Sequence, residues 1–174
     1  MKSAATHKLR AFVAIPEFIF ETPEPLLLDS VMADAKKALK AAGFNGSKYY
    51  VAAHSLGTVI VQGHTLAHPE EYEGQILMGG SFARDKRHND NSTGLTVVDH
   101  PVPSLIIAGT KDGLYRVSRN AETYYHHVAN INPAQAGKYP VVIAEGLAHG
   151  SFMDIKYTTS HVKAEDLVAD VTQQ

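Results

Sequence analysis

The sequence predicts a single α/β domain built on a mainly parallel sheet, and three observations point to it. Short apolar runs rich in β-branched residues recur at 9–15, 48–53, 74–78, 104–108 and 139–144. Most of the intervals between them carry a helical period, and buried strands joined by crossover helices pair in parallel. At 174 residues and 44% hydrophobic content, the chain has material for one sizeable core and not for two. Residues 1–174 are therefore expected to form one domain of about five strands with helices on both faces of the sheet.

Each element has its own signal. The run at 9–15 precedes a proline-interrupted stretch, 16–25, that reads as irregular. "LLLDSVMADAKKALKAAGFNG" reads as a helix from about Asp29, with Val31, Ala35, Leu39 and Ala42 on one face and Gly43 as its stop. The run at 48–53 leads into "AHSLGTVIVQGHTLAHPEE", a strand giving way abruptly to a helix. Residues 81–94, with their charges and turn formers, read as an exposed loop.

Composition limits the function classes. Sixteen basic and 18 acidic residues give a formal charge of −2 without a basic stripe, which speaks against nucleic acid as a partner. Cysteine is absent, so disulfides, thiolate metal sites and a thiol nucleophile are excluded. The N-terminal apolar run is broken by Pro16 and Glu17, too short for a signal peptide or a membrane span, so a soluble, cytoplasmic protein is expected.

The chemistry gathers at Ser55. It lies between a strand and a helix and is flanked at two residues' distance by Ala53 and Gly57, a small-x-Ser-x-Gly string. A serine lifted on such a turn sits at a helix N-terminus, whose free N–H groups favour a developing oxyanion. The competing reading is a serine that caps the helix with its side chain. A nucleophilic serine needs a base and the base an orienting acid. Asp112 follows the strand of "PSLIIAG" and His149 follows that of "YPVVIAEG", each on a glycine-bounded loop. All three would lie at strand carboxyl ends, where open α/β sheets place their sites. Alternatives stay open here: Asp112 as a turn residue facing water, His149 as an idle loop histidine, and Asp85 or Asp99 as the acid. His54 is expected to pack and hydrogen-bond beneath the turn and not to act as the base.

"AHSLGT", "PVPSLIIAGTKDGL" and "VIAEGLAHGSF" resemble, in turn, the nucleophile elbow, acid loop and histidine loop of the α/β-hydrolase superfamily. "GQILMGGSF" adds a weaker similarity to its chlorophyllase-like and dienelactone-hydrolase-like members. The resemblance spans roughly residues 9–152 and implies a minimal α/β-hydrolase-like three-layer sandwich. It also implies Ser55 as nucleophile, His149 as general base, Asp112 as the acid that holds the imidazole, and the Leu56 N–H as an oxyanion donor. The expected function is hydrolysis of a small-molecule carboxylic ester through an acyl-enzyme, with no cofactor and no metal. The alternatives are a weak or inactive hydrolase-like binding module, or a shortened form of a longer hydrolase.

The strand at 9–15 is expected to match the family's element just before the elbow unit, so the first several elements would be missing. Nothing before Ser55 resembles the loop that carries the family's second oxyanion donor. Loss of one such donor costs about 10²–10³ in rate. That donor would have to come from residues 16–25 or from another chain. The strand at 9–15 would either pair directly with 48–53 or leave an edge through which a homodimer could form. Phe18 and Phe20, with Ile19 and the leucines 26–28, are candidates for an apolar substrate entrance, and equally for core. Among the ten histidines, His64 and His68 share a helix face but lack the glutamate of H-E-x-x-H, so surface histidines are expected there. His126 and His127 are expected to divide between core and surface, and the basic residues 83–88 to be a solvated loop.

Overall fold

A computed structural model of the protein describes residues 13–15, 25–82, 100–124 and 133–152. The chain divides between Ser47 and Lys48 into two compact units. In the first, helix α1 (Pro25–Ala41) starts four residues before the expected Asp29. Proline at a first helical position has the right φ and no N–H to leave unpaired, which accounts for the earlier start. Val31, Ala35 and Leu39 are the less exposed face; Asp34, Lys37 and Lys40 are exposed. The helix ends as Gly43 predicts. Gly43 adopts φ 99°, its N–H donates to the Lys40 carbonyl and the Phe44 N–H to that of Leu39, both at 3.0 Å. This double closure around a left-handed glycine satisfies the last helical carbonyls.

The second unit is built on four parallel strands in sequential order: β1 (Tyr49–His54), β2 (Tyr72–Met78), β3 (Ser104–Gly109) and β4 (Val141–Ala144). Helix α2 (Leu56–Ala67) links β1 to β2 and packs on both, and α3 (Val117–Tyr124) packs on β3. The α/β class is therefore as expected, with four strands instead of five among the described residues. Of the first expected strand, residues 9–12 lie outside the described residues, and Val13 to Ile15 belong to no strand, with Val13 and Ile15 exposed. Its apolar composition made it look like a strand, but composition cannot supply a pairing partner.

The expected burial of the elbow strand is corrected for the same reason. β1 is bonded only to β2 among the described residues, and Tyr50 is 74% exposed. The fully covered apolar side chains of the sheet lie on the inner strands instead. Leu77 of β2 and Ile106 of β3 are both 0% exposed and cluster with Phe82 and Tyr139.

Beside this core runs a buried polar network. Thr65 donates its hydroxyl to Gln75 Oε1 at 3.0 Å, and Gln75 Nε2 donates to Ser104 Oγ at 2.8 Å. The Tyr139 hydroxyl donates to the carbonyl of the fully buried His100 at 2.7 Å. Each group has a partner, so these polar atoms tie α2, β2 and β3 to the segment that precedes β3 without an unmet desolvation cost.

The register places the strand ends level. The ladder continues one residue past three strands: Ser55 N–H to Met78 O at 3.0 Å, Gly79 N–H to Ile107 O at 3.0 Å, and Thr110 N–H to Ala144 O at 3.1 Å. All the loops that follow thus leave the sheet along one edge. Truncating the centre of the core, Leu77→Ala, is expected to lower stability by about 2–5 kcal/mol in urea unfolding, through lost burial and a residual cavity.

Candidate active site

Ser55 joins β1 to α2 with φ 55° and ψ −126°, the only non-glycine positive φ among the described residues. Such a conformation costs a non-glycine residue about 1–3 kcal/mol and persists only when its surroundings hold it. Here its N–H is bonded to Met78 O, and its carbonyl accepts from the Thr58 N–H at 3.0 Å and the Thr58 hydroxyl at 2.7 Å. The Ser55 side chain makes no cap bond to the helix. The capping alternative is thereby overturned, because the hydroxyl points elsewhere. The small residue at 53, an alanine, is accommodated. A Cβ on Gly57 would still stand 3.6 Å from the Ala53 Cβ, an ordinary contact.

The hydroxyl meets His149. Ser55 Oγ lies 2.8 Å from His149 Nε2, and His149 Nδ1 lies 2.9 Å from Asp112 Oδ2. Asp112 is 1% exposed, so its carboxylate does not face water as a simple turn residue would. Its other oxygen, Oδ1, accepts the N–H groups of Leu114 at 2.9 Å and Tyr115 at 2.8 Å. With Oδ1 occupied by two donors, Oδ2 is left to accept from His149 Nδ1–H. The imidazole's remaining nitrogen, Nε2, is then an acceptor for the serine hydroxyl. Asp112 lies in the loop after β3, and His149 opens a short 3₁₀ turn, His149–Phe152, after β4.

The acid and histidine loops are tied to each other. Thr110 Oγ1 accepts from the Gly146 N–H at 2.8 Å, and the Lys111 N–H donates to Leu147 O at 3.0 Å. Gly109 makes this approach possible, since a Cβ there would strike the Leu147 carbonyl.

Two neighbours of the site, Gly79 and Tyr115, went unread in the sequence. Gly79, at φ 54°, lies under the converging side chains: a Cβ on it would come within 3.2 Å of His149 Nδ1 and His54 Nε2 and 3.3 Å of Asp112 Oδ2. Its place in "ILMGG", at the end of an apolar strand, is the signal for such a close approach. Tyr115 lays its ring nearly parallel to that of His149, 14° apart with centroids at 6.2 Å. His54 does pack beneath the turn as expected, and its specific partner is the His149 backbone. His54 Nε2 is 2.8 Å from His149 O, and the two rings lie 4.7 Å apart. Burial pushes the His54 imidazole below the ordinary histidine value. The bond to the His149 carbonyl opposes this, and the charges of His149 and Asp112 act in opposite senses.

The remaining candidates divide. Leu56 is the first residue of α2, where a helical N–H has no intrahelical partner, and its side chain is 54% exposed. Phe18, Phe20, Asp85, Asp99, His126, His127 and residues 83–88 lie outside the described residues. His64 is not the surface histidine expected: it is buried, with Nδ1 2.9 Å from the Tyr72 hydroxyl. Its ring packs against those of His68, at 4.8 Å, and Tyr72, at 5.7 Å, and the tyrosine hydroxyl satisfies Nδ1. His68, Glu70 and Glu71 have ligand-capable atoms within 4.8 Å of one another, at the end of α2 remote from Ser55. That helix is 12 residues long, about 18 Å, so this group takes no part in the serine's chemistry.

No family model matches the chain, and no curated protein matches it. Among solved structures, it is similar to a thermostable esterase at 18% identity and TM-score 0.49, over 92% of this chain and 39% of the esterase. It is also similar to a Klebsiella pneumoniae protein described as a dienelactone hydrolase (17% identity, TM-score 0.48, 83% of this chain and 60% of that one). A Paleococcus ferrophilus monoacylglycerol lipase gives 11% identity and TM-score 0.48 over 86% of this chain and 72% of the lipase. The chain thus spans well under half of the esterase's length. With identities and scores this low, the chemistry of the site rests on this chain's own side chains.

Two outcomes follow from the geometry. Gly79→Ala is expected to cost about 1–2 kcal/mol from its left-handed backbone alone, with further loss from crowding His149 and Asp112, measured by urea unfolding. For His54, the folded-state value is lowered, so the unfolded chain binds the proton more readily. Its contribution to stability is complete above the unfolded value near 6.5 and is lost as pH falls below it. Unfolding measured from pH 8 to 5 should show a steeper acid loss in the wild type than in His54→Gln.

Proposed function

We propose that this chain is a serine hydrolase that cleaves a small-molecule carboxylic ester through Ser55, His149 and Asp112. The observation that supports this reading is the unbroken line of hydrogen bonds from Ser55 Oγ through the His149 ring to Asp112, anchored on a serine held at positive φ. A serine whose hydroxyl merely served the backbone would have no use for either feature.

In the proposed reaction, Ser55 Oγ attacks the ester carbonyl while His149 Nε2 takes the hydroxyl proton. The new oxyanion faces the N–H of Leu56 at the N-terminus of α2, where the helix's partial positive charge also stabilises it. Collapse of the tetrahedral intermediate breaks the carbonyl carbon to alkoxy oxygen bond, and His149 returns the proton to the departing alcohol. Water then attacks the acyl-serine with His149 again as base, releasing the acid and restoring Ser55. Asp112 keeps the imidazole in the tautomer with Nδ1 protonated and stabilises the imidazolium that forms in each half-reaction. No step calls for a cofactor.

Labelling by a fluorophosphonate, read by intact mass and peptide mapping, tests the reading. One adduct on Ser55 is expected, absent in Ser55→Ala and in His149→Ala. In ester turnover, Asp112→Asn should retain the fold and lose about 10⁴ in kcat, because the amide favours the wrong imidazole tautomer. A folded wild-type protein that takes no label would instead favour a hydrolase-like binding module.

A further inference from the structure

The bond between His54 and the backbone of His149 has no role in the reaction just described, although it joins the residue before the nucleophile to the residue that would activate it. The His54 ring is half-buried between His149, at 4.7 Å, and Phe152, at 5.6 Å, tilted by 43° and 41°. Its Nε2 meets His149 O at 2.8 Å. A carbonyl can only accept, so Nε2 carries the proton and donates. The contact spans 95 residues of sequence, from the end of β1 to the turn after β4.

We infer that His54 is a positioning residue, whose Nε2–H clamps the backbone of His149 so that the imidazole stands between Ser55 and Asp112. The inference rests on the serine-hydrolase reading only for its consequence in rate. The clamp itself is a statement about where His149 is held. Among the described residues, the turn that bears His149 has few other ties from this side. The bonds of Thr110 and Lys111 reach Gly146 and Leu147, three and two residues short of it, and those of Ala148 and Ser151 stay within the turn. At the backbone of His149, the tie to the elbow strand among the described residues is the one from His54; the ring itself meets Ser55 Oγ. Because Ser55 follows His54 directly, that bond sets the base loop and the nucleophile against a common reference. The titratable groups that face His54 are His149 and Asp112. With its ring against His149, the position favours a neutral donor over a fixed cation, which separates histidine here from lysine or arginine.

The test compares wild type, His54→Ala and His54→Gln, the last keeping an N–H donor of similar reach. Proton–nitrogen NMR of the histidine rings follows the His149 Nδ1–H bonded to Asp112, and the rate of Ser55 labelling by a fluorophosphonate is measured on the same samples, well below the unfolding midpoint of each. The expected result is a His149 Nδ1–H signal that is sharp in wild type, exchange-broadened in His54→Ala and recovered in His54→Gln. Labelling should slow by about 10²-fold in His54→Ala, the order expected of a misplacement near 1 Å, and recover most of that loss in His54→Gln. A His54→Ala protein with the wild-type signal and labelling rate would overturn the inference, as would a His54→Gln protein no better than His54→Ala in both readouts. If the wild type takes no label, the hydrolase reading fails on its own. The NMR comparison then decides the clamp: loss in His54→Ala with recovery in His54→Gln supports it, and an unchanged signal overturns it.

Discussion

Three backbone hydrogen bonds, each one residue past the end of a strand, govern the geometry of everything above the sheet. Ser55 to Met78, Gly79 to Ile107 and Thr110 to Ala144 carry the parallel ladder to a common level. In a parallel sheet the bonds are evenly spaced, so a shared register makes the carboxyl ends flush. Side chains launched from the loops beyond β1, β3 and β4 then need only a few ångströms to meet. If any one strand were shifted by a residue, Ser55, Asp112 and His149 could not stand in a line.

That level edge also explains where the unusual conformations fall. Ser55 and Gly79 both adopt positive φ, and each is the residue next to the last strand residue of its element. The chain must turn sharply off the sheet at both points. At Ser55 the turn is held by bonds to Met78 and Thr58, which offset a strain that serine would otherwise relieve. At Gly79 there is no side chain to strain, and the space left free is the space into which His54, His149 and Asp112 converge. The next glycine serves the same packing, because a Cβ at Gly80 would overlap the buried Thr58 that braces the Ser55 carbonyl.

Polar satisfaction does comparable work around the site. Asp112 is buried but accepts from two backbone N–H groups at Oδ1 and from one imidazole at Oδ2, so neither carboxylate oxygen is left without a donor. Gly109 lets the histidine loop pass close over β3, and the bonds from Gly146 and Lys111 fix the two loops together. Asp112 and His149 are thus held as one piece. Its connection to the elbow runs through Ser55 Oγ and His54 Nε2.

Local chemistry made much of this legible. The four described strands lie within two residues of their apolar runs, the α1 stop is where Gly43 marks it, and Ser55, Asp112 and His149 each follow a strand. Period, turn residues and small-residue spacing are short-range signals, and they were sufficient for the α/β class and for nominating the three side chains. What pattern alone left open was pairing and contact: that Val13 to Ile15 join no strand, that β1 has a bonded neighbour on one side only among the described residues, that His64 is buried, and that His54 reaches the His149 carbonyl. The bonds that decide between a capping serine and one aimed at an imidazole, and between a solvated aspartate and a buried one, span 94 and 37 residues. No local preference encodes such distances. They are set by strand register and by the glycines that let loops approach, and both exist only once the sheet has formed.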